Sequence, residues 1–342
     1  MKYRPYLLLL LFIVIGCNSN PYDKEYVAPE FKQILDRSVS VLNDEFLFSY
    51  TSYITVVDSL LIMGFRTNST AGYFHIFNKH TGEYLKSFSG IGRGPGELLN
   101  EPSFSRSTDP TNKKLYVPKD LNSRSIVVFD ISQAIEKEFV PFEETNGTLV
   151  AQGYLHFKDD IFLATDKHGA FRYALVNSAS DTIAMYHTYP IVTEVDRDDE
   201  TARFAFYRSM SGVNIKPDKK KFASITSNGL LIEIFDLSGD IIELLCLRRY
   251  IKPLYKIRSS NAVHVAVKEM AGCYFTVTDN YLYGIMYFEH DQSNIWVFDW
   301  EGLPIKRYQL DKNVYRIAID EEAGFAYVQI IDDEPSIGRF PL

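Results

Sequence analysis

Short apolar runs recur along most of the chain, each interrupted by a polar turn. Six segments share one shape, in which an apolar strand, an aspartate, a tight turn and a second strand follow in order. They are "TVVDSLLIMG" with Asp58, "STDPTNKKLYV" with Asp109, "HFKDDIFLAT" with Asp159, "IKPDKKKFASI" with Asp218, "TVTDNYLYGIM" with Asp279 and "AIDEEAGFAYV" with Asp320. The aspartates are spaced 51, 50, 59, 61 and 41 residues apart. An Asp in such a turn accepts hydrogen bonds from backbone amides ahead of it, so the six are read as structural.

Most of these hairpins are followed by another. "YFHIFNKHTGEYLKSF", "SIVVFDISQAIEKEFVPF", "RYALVNSASDTIAMYHTY", "LLIEIFDLSGDIIELLCL" and "NIWVFDWEGLPIKRYQL" repeat strand, Asp or Asn, turn and strand. Gly82, Gly239 and Gly302 suit turns that need positive φ. Two hairpins per repeat make a four-stranded sheet, and six such sheets describe an all-β, six-bladed β-propeller. The last repeat ends one strand short at Leu342. A strand within "ILDRSVSVLND" (34–44) is expected to complete it and close the ring, removing an open edge. Long helical periodicity is scarce, and only Ile131 to Phe139 suggests a helical turn. The stretch 190–209 is expected to be a long loop.

Composition agrees with strands: Tyr (23) and Phe (24) are abundant. The formal charge of −8 argues against nucleic acid as a partner. At the N-terminus, Lys2 and Arg4 precede an apolar run from Leu7 to Ile15. That run is shorter than the roughly 20 residues of a membrane-spanning helix, and it reads as a secretion signal over 1–16. "VIGC" ends it, which makes Cys17 the expected lipidation site. A polar tether over 17–30 and a propeller over 31–342 follow. Cys246 and Cys273 are expected to be buried free thiols, with a single bridge between them in an oxidising compartment as the alternative, and no C-x-x-C suggests zinc.

With these features the sequence resembles the TolB-like six-bladed β-propeller lipoproteins. "GIGRGPGE", "IKPDKKKFASIT", "VTDNYLYGIMY" (Asp279, Tyr281 and Tyr283 in a D-x-Y-x-Y pattern) and the lipobox "VIGC" carry the resemblance. It implies an envelope-associated protein, from a family mostly without assigned activity. Asn18 after the cysteine lacks the aspartate associated with inner-membrane retention, so the outer membrane is expected.

The alternating glycines of "FSGIGRGPGELLNEP" (88–102) invite comparison with phosphate-binding loops. A dinucleotide fingerprint needs a helix directly after the glycines, and a P-loop needs Gly-Lys-Ser/Thr. Neither is present. The stretch is read instead as the crossing from the rim of one blade to the channel strand of the next.

Propeller connectivity places second-to-third and fourth-to-next-first connections on one face. Arg66, Arg93 and Arg124 fall in such connections, as do Arg203, Tyr207 and Arg208. Arg248, Arg249 and Arg258 are assigned there too. Arginine and tyrosine are enriched at interaction surfaces, and guanidinium binds carboxylates in bidentate fashion. This face is the expected binding surface for an envelope protein, peptide or glycan, possibly acidic in character. No residue is assigned as catalytic or as a metal ligand, and no cofactor is expected.

The alternative is a propeller hydrolase or lyase acting on a carbohydrate or lactone, with Ca2+ or another divalent metal in the channel. The local clusters considered for it are Asp166 with His168, and Glu289 with His290 and Asp291. Arg106 and Lys216 are considered for an anion pocket near the channel. No H-E-x-x-H zinc motif or G-x-S-x-G nucleophile elbow occurs.

Overall fold

The structure is a computed structural model. It describes residues 26–45, 51, 53–65, 72–99, 108–109, 113–119, 125–146, 151–166, 171–179, 181–239, 241–253, 255–259, 262–265, 274–286, 293–332 and 334–342.

Two N-terminal strands, β1 (Gln33–Arg37) and β2 (Ser40–Asn43), precede the blades. Blade 1 is β3 (Tyr53–Val57), β4 (Leu60–Gly64), β5 (Gly72–Asn78) and β6 (Tyr84–Gly90). Blade 2 is β7 (Thr108–Asp109), β8 (Lys114–Pro118), β9 (Ser125–Asp130) and β10 (Phe142–Asn146). Blade 3 is β11 (Ala151–Lys158), β12 (Ile161–Asp166), β13 (Tyr173–Asn177) and β14 (Thr182–Tyr186). Two helices follow, α1 (Glu194–Asp198) and α2 (Glu200–Met210). Blade 4 is β15 (Ser211–Ile215), β16 (Lys221–Thr226), β17 (Leu230–Asp236) and β18 (Glu243–Ile251). A hairpin of β19 (Tyr255–Ser259) and β20 (Ala262–Val265) comes next. Blade 5 is β21 (Tyr274–Val277), β22 (Leu282–Met286), β23 (Asn294–Phe298) and β24 (Pro304–Leu310). Blade 6 takes β25 (Val314–Asp320), β26 (Phe325–Ile330) and β27 (Ser336–Pro341) from the C-terminus. The result is a six-bladed propeller.

The N-terminal strands are shared between two blades. β2 pairs antiparallel with β27 as the outermost strand of blade 6, with Ser40 opposite Arg339. β1 pairs parallel with β24 and gives blade 5 a fifth strand. The stretch 34–44 is therefore two strands rather than one. The break falls where Asp311 accepts hydrogen bonds from Ser38 Oγ (2.5 Å) and from the Val39 amide (2.8 Å). Val39 is buried there against blade 6.

The strands buried on both faces are the ones that read as unbroken apolar runs. β4 (LLIMG) and most of β5 and β17 are buried throughout, because each blade packs face to face with two neighbours. Aromatic pairs fill these interfaces. Phe74, Phe88 and Phe129 cluster between blades 1 and 2. Tyr173, Phe222 and Phe235 do so between blades 3 and 4, with the two phenylalanines stacked at 4.4 Å. Fully burying one such ring contributes roughly 1.5–3 kcal/mol.

The hairpin carboxylates cap their turns. Asp218 accepts from the Lys220 amide (2.9 Å), Asp320 from Ala323 (3.0 Å) and Asp299 from Leu303 (2.8 Å). Asp58 and Asp159 occupy the left-handed region themselves, at φ 52° and 47°, which Asp tolerates better than most residues. The same turns tie adjacent blades together. Lys113 of blade 2 pairs with Asp58 of blade 1, and the Asp218 amide of blade 4 donates to Asp279 of blade 5 (3.0 Å). Glu321 of blade 6 accepts from Thr278 Oγ1 (2.7 Å), Asn280 Nδ2 (2.8 Å) and Tyr283 OH (3.0 Å) of blade 5.

Candidate binding face

The connection from β14 to β15 lies on the loop face and carries α1 and α2, which the blade pattern does not require. The stretch 190–209, expected as a loop, contains α1 and nearly all of α2. Asp199 caps α2, accepting from the Ala202 amide at 2.9 Å from an extended conformation. Asp196 of α1 is fully buried. It accepts from the amides of Val192 (2.9 Å) and Thr193 (2.7 Å) and from the Tyr255 hydroxyl of β19. Phe206 of α2 stacks on Tyr255 at 4.1 Å, so both helices are pinned to the segment that follows blade 4.

Beneath this cap lies a buried ion pair between blades 3 and 4. The Arg172 guanidinium binds Glu233 of β17 in a bidentate arrangement, with Nη1 donating to Oε1 at 2.9 Å and Nη2 to Oε2. The side chains are 3% and 1% exposed. Arg172 also donates to the Thr188 carbonyl (3.2 Å) and lies beside the rings of Tyr173, Tyr189, Tyr207 and Phe235. Burial alone would push the guanidinium pKa down; the Glu233 carboxylate outweighs it, and the net direction is up. Burial, partly offset by Arg172, pushes Tyr173 up to about 12. Tyr207 is held well above the ordinary phenol range, by burial first and the Asp196 charge second. Its hydroxyl makes no hydrogen bond among the described residues.

The residues singled out for the binding face fall in different parts of the fold. Arg203 and Arg208 lie on α2. Arg203 Nη1 donates to the Asp196 carbonyl (3.4 Å) and Nη2 to Glu200 (3.3 Å), while Arg208 lies over the Phe204 ring. Arg93 is exposed in the glycine loop. Tyr207 and Arg249 are buried. Arg248 lies within β18, where Nε donates to the Glu301 carbonyl (2.9 Å) in the β23–β24 turn of the next blade. That contact ties blade 4 to blade 5 rather than joining the loop face. Arg258 is in β19, and Arg66 and Arg124 lie outside the described residues, as does Cys17.

The glycine loop is closed on itself. Glu97 Oε2 accepts from the Gly94 amide at 2.7 Å, and a Cβ on Gly92 would lie 2.0 Å from the same oxygen. The chain's own carboxylate thus occupies the concavity that a bound anion would need. Gly96 has φ +73°, and Leu98 beyond it is fully buried. The stretch crosses from β6 toward β7, with Ile91 and Leu98 forming a parallel bridge.

Of the residues considered for chemistry, Lys216 pairs with Asp218 (2.6 Å) in the turn beside it. Arg106, His168 and 289–291 lie outside the described residues, and the Asp166 side chain is not described. In the innermost strands, Arg316 lies over the rings of Tyr274 and Tyr315, whose hydroxyls are 2.8 Å apart. Burial chiefly pushes Tyr274 up to about 12. Cys246 is a free, half-buried thiol raised by burial, and Cys273 lies outside the described residues. Among the described residues no three His, Cys, Asp or Glu side chains gather to hold a metal ion, and no helix is long and apolar enough to cross a membrane.

Six radial sheets, joined through their aspartate turns and completed by an N-terminal strand, define the class as a six-bladed β-propeller. The chain belongs to the TolB-like 6-blade propeller-like family, whose model matches residues 30–322. Two solved structures share the fold. A protein of Bacteroides fragilis described as exported is 14% identical, with a TM-score of 0.55 over 90% of this chain and 99% of that one. A member of the DUF4221 family from Bacteroides vulgatus is 10% identical, with a TM-score of 0.53 over 94% of this chain and 98% of that one. No curated protein matches the chain.

Proposed function

We propose that this chain is a non-catalytic envelope lipoprotein, anchored to the outer membrane through Cys17. Its propeller serves as a binding or scaffolding module for an envelope protein, peptide or glycan with acidic character. The observation that carries this reading is the α1–α2 cap. A propeller closes without helices, yet here an ordered helical element is held on the loop face by Asp196, Tyr255 and the Arg172–Glu233 pair beneath it. That gives the face a fixed relief, with Arg197 exposed and Arg203 and Arg208 beside it. Preorganised arginines bind carboxylates without a large ordering cost. The fold relative described as exported agrees with an envelope location.

The test is affinity capture from envelope extracts. Arg203→Glu and Arg208→Glu are expected to deplete specifically captured partners, while Asp236→Lys on the opposite face leaves them unchanged. Thermal denaturation of each variant checks that the fold survives. Equal capture by properly folded variants of all three kinds would remove the cap from the binding surface.

A further inference from the structure

The described chain begins on the cap. Tyr26 packs against the buried cluster of Ala202, Phe206, Tyr207, Leu231 and Tyr255, and its hydroxyl donates to the Val192 carbonyl at 3.4 Å. The Val27 amide donates to the Arg249 carbonyl of β18 at 3.1 Å. Phe31 then wedges against Trp296 and Phe298 at 5.0 and 5.9 Å, between blades 4 and 5. From there the chain enters β1 and β2. Part of the stretch 17–30 expected as tether is thus fixed to the propeller from Tyr26 onward.

Nine peptide units separate Cys17 from Tyr26. Fully extended, they reach at most ~30 Å. The attachment point is the edge of the loop face beside α1, not the opposite face, where the aspartate turns lie.

We infer that the fixed N-terminal segment orients the propeller, holding the cap-bearing face toward the bilayer and the aspartate turns away from it. This rests on the lipid-anchor reading of Cys17. A partner that meets the cap is then a protein embedded in, or anchored to, the same membrane. The segment acts through geometry alone: Tyr26 and Phe31 fix where the tether leaves, and its reach of at most ~30 Å limits how far that point can move from the bilayer.

The orientation is measured on full-length protein, expressed with its leader, purified and reconstituted into phospholipid vesicles. Cys246 and Cys273 are replaced by serine. A donor dye is placed at Thr201→Cys, exposed at the start of α2, or at Glu322→Cys, exposed in the turn after Asp320. Energy transfer to a headgroup-labelled lipid is expected to be several-fold greater from residue 201. A flexible insert of Gly and Ser between Asn20 and Pro21 should bring the two positions toward equality. Equal or reversed transfer in protein whose Cys17 is shown by mass spectrometry to be acylated overturns the orientation while sparing the anchor. An unacylated Cys17, or vesicle flotation that survives Cys17→Ser, overturns the anchor reading and the orientation with it. A photo-crosslinker at residue 201 tests the partner class in intact envelopes. The crosslinked partner is then followed in envelopes that lack this protein: a partner that stays in the membrane after carbonate washing supports the class, and one released by the wash refutes it.

Discussion

Lys79 Nζ lies 2.6 Å from Asp320 Oδ2, and this ion pair crosses the joint between the first and last blades. Lys79 sits in the β5–β6 turn, and Asp320 ends β25 while capping its own turn through the Ala323 amide. The side chains are 12% and 11% exposed. The joint where the ring closes is therefore held by charge as well as by β2. In the same place Asn43 of β2 donates to the Gly82 carbonyl of blade 1 at 2.9 Å.

Asp320→Asn keeps an acceptor for the Ala323 amide and removes the charge. It is expected to cost about 1.5–3 kcal/mol at neutral pH, the range for a hydrogen bond to a charged partner. Burial opposes ionisation of Asp320, but the Lys79 ion pair and the Ala323 amide together outweigh it, and the carboxyl lies below its ordinary value of 3.8. A depressed carboxyl stabilises the fold above its unfolded pKa and loses that contribution as pH falls through its folded pKa. Urea denaturation should show the variant penalty at pH 7 and progressively less of it as pH falls below the ordinary carboxyl value of 3.8.

His75 predicts a second acid limb. It is fully buried and stacked on Phe65 at 3.9 Å, and burial lowers its pKa from 6.5 to about 4. Between those values the unfolded chain binds the proton and the folded chain does not. Stability is therefore complete above pH 6.5 and falls toward pH 4, by about 3 kcal/mol at most. His75→Phe should flatten this part of the stability–pH curve, whatever it does to the plateau.

The Arg172–Glu233 pair predicts strong coupling. Removing one partner leaves a buried charge alone, so Arg172→Met or Glu233→Met should each cost about 3–5 kcal/mol. Arg172→Met with Glu233→Met should cost clearly less than the two single changes together, because neither charge remains to be desolvated. Equilibrium denaturation of the three variants measures the coupling. Additive losses would mean that the pair is not a unit.

The glycine loop gives a further double-mutant cycle. Gly92→Ala drives a Cβ against the Glu97 carboxylate and should cost about 1–3 kcal/mol. In a Glu97→Ala background the same change should cost much less, since the obstructing atoms are gone. Thermal melts of the four proteins are sufficient.

The blades were legible in the sequence because their turn chemistry repeats. Asp218, Asp299 and Asp320 cap backbone amides in the structure, and β4, β5 and β17 are apolar because both faces are covered. The cap was not legible. "TEVDRDDETARFAFYRS" is mostly polar and too short to display a clear helical stripe; its signal was local, in Asp199 three residues ahead of Ala202. That miss carried others with it. Once α2 folds down, Tyr207 faces the interior, and once β18 runs to Ile251, Arg248 and Arg249 belong to a strand. Glu233 did leave a trace, as a lone carboxylate inside "LLIEIF", but its partner Arg172 lies 61 residues away and no local pattern connects them.

The division of β1 and β2 between blades 5 and 6 bears on how the molecule is made. Residues 33–43 are synthesised well before their hydrogen-bonding partners at 304–310 and 336–341. Contacts of such long sequence separation are slow to form. Until the C-terminal residues emerge, the early strands present unpaired edges that other chains can capture. A nascent chain stalled before residue 336 lacks the strand that β2 must meet, so the ring can close only after that strand has been made.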